Sequence, residues 1–254
     1  MIHPSAIIDP GAQIDEAVEI GPYCHIGAQV VIAAGTKIDA HVVIKGDTRI
    51  GRNNRIFQFN SLGDEPQDKK YQSEVTRLEI GDNNVIREFC TFNRGTAGGG
   101  GLTRIGHNNW IMAYVHIAHD CQIGDQVTMA NGTTLAGHVS VGDYVTFGAF
   151  TVIHQFCVIG AHSFSAMGTV ILKDVPPFVM VSGNSAKPHG LNTEGLRRRG
   201  FSGEVITALK NAYKSIYRKG LTLKQAIEEL DGEDFPEACQ LAEFLRTSNR
   251  GIVR

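Results

Sequence analysis

Residues 8–62, cut every six positions, read IDPGAQ IDEAVE IGPYCH IGAQVV IAAGTK IDAHVV IKGDTR IGRNNR IFQFNS L. Every cut falls on an aliphatic residue: Ile8, Ile14, Ile20, Ile26, Ile32, Ile38, Ile44, Ile50, Ile56 and Leu62. The period resumes at Ile80, Ile86 and Phe92. It resumes again at Ile105 and runs through Ile111, Ile117, Ile123, Met129, Leu135, Val141, Phe147, Ile153, Ile159, Ser165 and Ile171, with Ser165 as its polar member. Many hexads place Gly, Ala or Asp after the aliphatic and a small residue at the fifth position. A repeat of this period belongs to a hexapeptide β-helix, in which each hexad is a short strand and a turn and three hexads close a triangular coil of about 18 residues. Stacked coils pair as parallel strands about 4.8 Å apart, with the aliphatics lining one inner column. Burying each is worth about 1.5–3 kcal/mol, which offsets the ordering entropy only when many coils stack. The sequence therefore predicts an all-β solenoid. Its hand does not follow from the period, because parallel crossovers are in general right-handed.

Composition narrows the function. The chain has 254 residues, 42% of them hydrophobic, and a formal net charge of -2. It carries neither an uninterrupted apolar run fit for a membrane span nor a basic field fit for nucleic acid. Its first residues enter the repeat at once, without the pattern of a secretory signal, so a cytoplasmic location is expected. The five cysteines are isolated, and Cys24, Cys90, Cys121 and Cys157 each lie four residues after a clock position, where small inward residues are needed. They read as free thiols, without metal or redox spacing.

Two insertions break the period, near 63–78 and 94–104, and such loops on a regular solenoid are candidates for substrate contact. The period ends near Asp174, and a linker rich in Pro, Gly and Asn follows. Residues 1–190 thus form the solenoid and 191–254 a small helical domain. In that domain Ser202 caps one helix, Thr222 and Gln225 form a capping box for a second, and Pro236 starts a third. Residues 191–219 hold seven basic and two acidic side chains, a surface suited to an acidic partner or a pyrophosphate as well as to a plain solvated helix face.

His119, His138 and His154 are separated by 19 and 16 residues, close to one coil each, so they are expected on one side of the solenoid. His116 flanks the same corner. No cysteine or activated serine accompanies them, which points to direct transfer with an imidazole as general base. Asp120 follows His119 and is placed to orient it. The backbone N–H of Gly137, in Ala-Gly-His, is the candidate donor to a developing oxyanion.

At this point the chain resembles one family along its whole length. The strings HIAHDC from His116, LAGHVSVGD from Leu135, HQFCVIGAH from His154, KDVPP from Lys173, NTEGLRRRGFS from Asn192 and the closing RGIVR are similar to the UDP-N-acetylglucosamine O-acyltransferases of lipid A synthesis. The resemblance implies a left-handed coil, a homotrimer with its sites between subunits, and acyl carrier protein and a UDP-amino-sugar as partners. It implies no metal, and no cofactor beyond the donor's phosphopantetheine arm. It makes His119 the base, with Asp120 beside it and Gly137 at the oxyanion. Asp68 and Lys70 match residues that hold the sugar and acyl parts. His116, His138, His154 and Gln155 match the groove lining, and Asn192, Glu194, Arg198 and Arg199 match residues near the nucleotide.

Two positions depart from the common pattern of this family. Asn93, in Asn-Arg-Gly-Thr, stands where most members carry histidine, which opens the choice between a 3-hydroxy and a 3-amino sugar. Met167 stands where long-chain members carry glycine, which implies an acyl-chain ruler set near ten carbons. Other readings are the related N-acyltransferase, whose family has an extra N-terminal domain, a γ-type carbonic anhydrase with zinc between coils, and a solenoid without activity.

Overall fold

A computed structural model describes residues 1–254. Each hexad contributes a short strand, in most cases two residues long, and the strands assemble into three sheets of nine, eight and ten members, parallel except for the last strand of the ten-stranded one. The register follows the clock: along the nine-stranded sheet Ile8 pairs with Ile26, Ile26 with Ile44, Ile44 with Leu62, Leu62 with Phe92, Phe92 with Ile117, Ile117 with Leu135, Leu135 with Ile153 and Ile153 with Ile171. From Ile26 onward these side chains belong to a single core cluster of 40 buried residues, against which the half-buried Ile8 packs. Ser165 keeps its place inside it, buried, with its hydroxyl 2.8 Å from the Thr151 hydroxyl.

The fifth position of the hexads is inward, and its polar groups bond along the axis, with Asn109 Nδ2 left without a partner. The Cys24, Cys90 and Cys121 thiols donate to carbonyls of the next coil at 3.0, 3.2 and 3.2 Å. Asn54, Asn84 and Asn109 form a ladder in which each side-chain oxygen accepts the backbone N–H one coil further on, at 2.9, 2.9 and 2.7 Å.

The turns define three corners. On the corner from the ten-stranded to the nine-stranded sheet, Tyr23, His41, Phe59, Phe89 and Tyr114 all take the left-handed conformation, φ 57° to 65°. Their rings stack at 5.0 to 5.3 Å. A left-handed φ costs a residue with a Cβ roughly 1–2 kcal/mol, and stacking of about 0.5–1.5 kcal/mol per pair offsets part of that. Both insertions leave from another corner. They follow the strands Ser61–Asp64 and Thr91–Asn93 of the nine-stranded sheet and precede Arg77–Ile80 and Leu102–Ile105 of the eight-stranded one.

The upper end is closed in two ways. Val179–Ser182 and Lys187–Leu191 pair antiparallel and lead into α1 (Thr193–Arg198), α2 (Gly203–Tyr217), α3 (Leu223–Asp231) and α4 (Pro236–Thr247), which share a second core of 13 buried residues. Ser202 caps α2, Thr222 and Gln225 make the capping box of α3, and Pro236 opens α4. The segment Ser248–Val253 then returns to the solenoid at the buried Asp174. The Asp174 N–H donates to Gly251 O at 3.0 Å, its carbonyl accepts Val253 N–H at 2.9 Å, and its carboxylate takes the Ser248 hydroxyl and the Val158 N–H at 2.6 and 2.8 Å. An exposed sheet edge is thereby covered. No helix is long and apolar enough to cross a membrane.

Candidate active site

His119 and Asp120 occupy the turn between His116–Ile117 and Gln122–Ile123, on the corner from which both insertions leave. The register that pairs Ile117 with Leu135 and Leu135 with Ile153 aligns His119 with Gly137 and Gln155, Asp120 with His138 and Phe156, and Ala118 with His154. The three histidines share the corner but occupy different places in its turns. The imidazole of His119 lies across Gly137: a Cβ there would come within 2.6 Å of its Cε1 and 2.8 Å of its Nε2. Glycine at 137 is what leaves the ring its position.

Asp120 takes a left-handed φ of 61°, which aspartate tolerates better than most residues, and its side chain is fully buried at 0% exposure. Oδ1 accepts the Thr96 N–H at 2.9 Å, and Oδ2 accepts the Thr96 hydroxyl at 2.6 Å. Oδ2 also lies 2.8 Å from His119 Nδ1. A buried carboxylate without such donors would cost several kcal/mol. Because an ionised carboxylate only accepts, Nδ1 carries the proton and Nε2 the lone pair. Gly99 lets the second insertion close over this group, since a Cβ there would fall 2.1 Å from Asp120 Cγ. Thr96 and Gly99 carry the site's support and had no signal of their own in the sequence, beyond the broken period around them.

His138 meets His119 edge-on at 5.1 Å, stacks on Phe156 at 4.4 Å, and brings Nε2 to 3.8 Å from Asp120 Oδ2. Burial lowers its pKa, an effect that the Asp120 and Asp68 carboxylates oppose. His116 is hydrogen-bonded to the Thr91 hydroxyl at 2.7 Å, and burial lowers its pKa as well. The first insertion thus brings Asp68 toward His138. Its turn is shaped by the Lys70 N–H donating to Asp68 Oδ1 at 3.0 Å. Asn93 and Arg94 tie that insertion down: Asn93 Nδ2 donates to Glu65 O at 2.8 Å, and Arg94 donates to Gly63 O at 3.0 Å and to the Tyr71 hydroxyl at 2.8 Å. Asn93 is buried beneath the loop, with its Oδ1 unpartnered.

No other group on this corner competes as a nucleophile. Cys121 is pushed up to about 12 by burial, and its thiol is bonded to Ala136 O. His119, Asp120 and His138 hold ligand-type atoms within 4.8 Å of one another. Asp120 Oδ2 is already engaged by the Thr96 hydroxyl and by His119 Nδ1, at 2.6 and 2.8 Å.

The remaining candidates lie on other faces of the chain. Asn192, Glu194, Arg198 and Arg199 line a cleft of about 680 Å³ with Trp110 and Tyr144, over the ten-stranded sheet. Asn192 is engaged as the cap of α1, accepting Gly195 N–H at 3.2 Å and donating to His162 O at 3.0 Å. Glu194 pairs with Arg198 at 3.5 Å. Arg199 lies over the Tyr144 ring at 4.4 Å, exposed. Met167 is 73% exposed on the aromatic corner.

Fold and corner together define a hexapeptide-repeat transferase with a histidine–aspartate centre. A family model for UDP N-acetylglucosamine O-acyltransferase, domain 2, matches residues 174–253, and one for bacterial transferase hexapeptide repeats matches residues 1–34 and 102–137. The acyl-(acyl-carrier-protein)–UDP-N-acetylglucosamine O-acyltransferase of Thiobacillus denitrificans is 58% identical over 255 residues, spanning 100% of this chain and 99% of its own. That of Janthinobacterium is 56% identical over 260 residues, with 100% and 99% covered. LpxA from Acinetobacter baumannii superposes with a TM-score of 0.98 at 52% identity, covering 100% of this chain and 99% of that one. The chain belongs to the acyl-(acyl-carrier-protein)–UDP-N-acetylglucosamine O-acyltransferase family. Its solenoid is a left-handed parallel β-helix.

Proposed function

We propose that this chain transfers an (R)-3-hydroxyacyl group from the thioester of acyl carrier protein to the 3-position of UDP-N-acetylglucosamine, the first step of lipid A biosynthesis, in the cytoplasm. His119, oriented by a buried and fully donor-satisfied Asp120, carries this reading. Its Nε2 takes the proton of the sugar hydroxyl as that oxygen attacks the thioester carbonyl. The imidazolium so formed is stabilised by Asp120 at 2.8 Å. When the tetrahedral intermediate collapses, the C–S bond breaks and the imidazolium returns its proton to the phosphopantetheine sulfur. Atoms and charges balance without a cofactor.

The Gly137 N–H serves the oxyanion. Its neighbours Ala136 and His138 donate to Ile153 O and His119 O at 3.1 and 3.0 Å within the ladder. The Gly137 amide stands outside that ladder and keeps its donor for substrate.

Asn192, Glu194, Arg198, Arg199 and Met167 lie away from His119 on a single chain, which supports a homotrimer in which a neighbouring chain completes each groove. Arg199, with no carboxylate against it, suits a phosphate. Met167 closes the far end of the acyl slot and sets the preference near ten carbons. Asn93 acts on sugar choice through the loop it holds, with a 3-amino sugar as the alternative acceptor.

Mass spectrometry of products from acyl carrier protein thioesters of several lengths, with UDP-N-acetylglucosamine or its 3-amino analogue, tests the whole reading. Transfer that vanishes in His119→Ala supports it, and transfer to neither sugar removes it. Met167→Gly is expected to lengthen the preferred chain, and an unchanged optimum would remove the ruler.

A further inference from the structure

The segment Ser248–Val253 does more than cover the end of the solenoid. Arg250, half-buried, reaches from it across the turn 154–157 of the catalytic corner. Its Nη2 lies 3.2 Å from His154 Nδ1. Its Nε is enclosed without a partner. The backbone on either side is pinned by Asp174, through the Ser248 hydroxyl at 2.6 Å, Gly251 O at 3.0 Å and Val253 N–H at 2.9 Å. An arginine held this firmly, with a ring nitrogen for its side-chain partner instead of a carboxylate, is placed to act on His154.

The direction of that action follows from donor chemistry. Nδ1 of His154 is also 3.1 Å from Gln155 O, so the ring has two opposite ways to bond. A proton on Nδ1 would satisfy the Gln155 carbonyl. It would also point at a guanidinium, which can only donate and stays charged. Arg250 therefore selects the tautomer with the lone pair on Nδ1 and the proton on Nε2, the nitrogen turned away from Arg250.

We infer that Arg250 is a positioning residue that fixes the Nε2–H tautomer of His154, so that this ring meets the acceptor sugar as a hydrogen-bond donor. The inference rests on the proposed function only for the identity of that sugar. It divides the histidines of the corner by role: Asp120 holds the proton on Nδ1 of His119 and leaves Nε2 a lone pair to act as base, while Arg250 does the reverse to His154 and makes Nε2 a donor. The helical domain thereby sets the chemistry of a groove residue it does not itself line.

Two measurements on the intact enzyme test this. In histidine-labelled protein, with the His154 signal assigned through His154→Gln, long-range nitrogen–proton correlations are expected to show Nε2–H in the wild type. They are expected to show loss of that preference in Arg250→Ala and its retention in Arg250→Lys. An Nδ1–H ring in the wild type, or the same tautomer in Arg250→Ala, would overturn the inference whatever the substrate. In kinetics, Arg250→Ala is expected to raise KM for UDP-N-acetylglucosamine about fivefold, with kcat within about twofold, the scale of one hydrogen bond. Arg250→Ala should change KM no further once His154→Gln is present. Additive losses would show that Arg250 serves only the packing of the segment. If His154→Gln alone leaves KM unchanged, the groove reading of His154 fails and the tautomer result still decides the role of Arg250.

Discussion

Two corners of the same solenoid are built from the same hexads and the same left-handed turns, and they differ in what the turn positions carry. On the aromatic corner, Tyr23, His41, Phe59, Phe89 and Tyr114 repeat one solution, ring on ring at about 5 Å, with no insertion. On the corner proposed as catalytic the equivalent places hold Asp120, His138 and Phe156, and two insertions leave the coil below them. The inner column demands aliphatics everywhere, so chemistry is confined to turn positions that the core does not dictate. A corner made of one repeated contact contributes stability, whereas a corner made of unlike groups can orient a proton.

That contrast can be broken at four places. The largest effect is expected on the catalytic corner, where His119→Ala should lower turnover by about 10²- to 10⁴-fold while circular dichroism and the melting temperature stay near wild type. Gly137→Ala comes next. Its Cβ collides with the His119 ring, and a displacement near 1 Å is expected to cost about 10²-fold in kcat, read in steady-state kinetics.

On the other corner the sign of the comparison reverses. Phe59→Ala removes two stacked pairs, with His41 and Phe89. It should cost about 1–3 kcal/mol in denaturant unfolding, with turnover per folded enzyme unchanged. A loss of activity larger than the loss of folded protein would mean that this stack of rings, and not only Met167 on the same corner, takes part in the site.

The smallest effect concerns pH. Burial lowers His162 to about 4 against an ordinary 6.5, where it is stacked between Tyr144 and Phe178. The unfolded chain therefore binds this proton first as pH falls, and the stability associated with a neutral His162 is lost between about pH 6.5 and 4. His162→Gln should flatten that part of the stability curve, as measured by melting temperature against pH.

The fold was legible because its determinant is local and periodic. Ile8 to Ile171 announce themselves by spacing, and even Ser165, the exception, needed only Thr151 to keep its place. The helices were legible through Ser202, Thr222 and Pro236, whose caps act within one turn. Of the proposed site, His119, Asp120 and Gly137 could be singled out because they lie within motifs. Thr96 was not, because its bond to Asp120 joins residues 24 apart across an insertion that erases the period. The Asn54, Asn84 and Asn109 ladder was hidden for the same reason, since insertions change the spacing between its members. The six-residue count also separates the histidines within their turns: His119, His138 and His154 stand two, three and one positions after Ile117, Leu135 and Ile153, so Gln155 and not His154 aligns with His119.

The central claim is that His119 moves the proton and Asp120 holds it in place to do so. Its most direct test is acyl transfer from acyl carrier protein to UDP-N-acetylglucosamine by wild-type and His119→Gln protein, with nucleotide-sugar binding measured on the same samples. The account predicts that binding survives and transfer falls by at least about 10². Transfer at a near wild-type rate in the variant would contradict it.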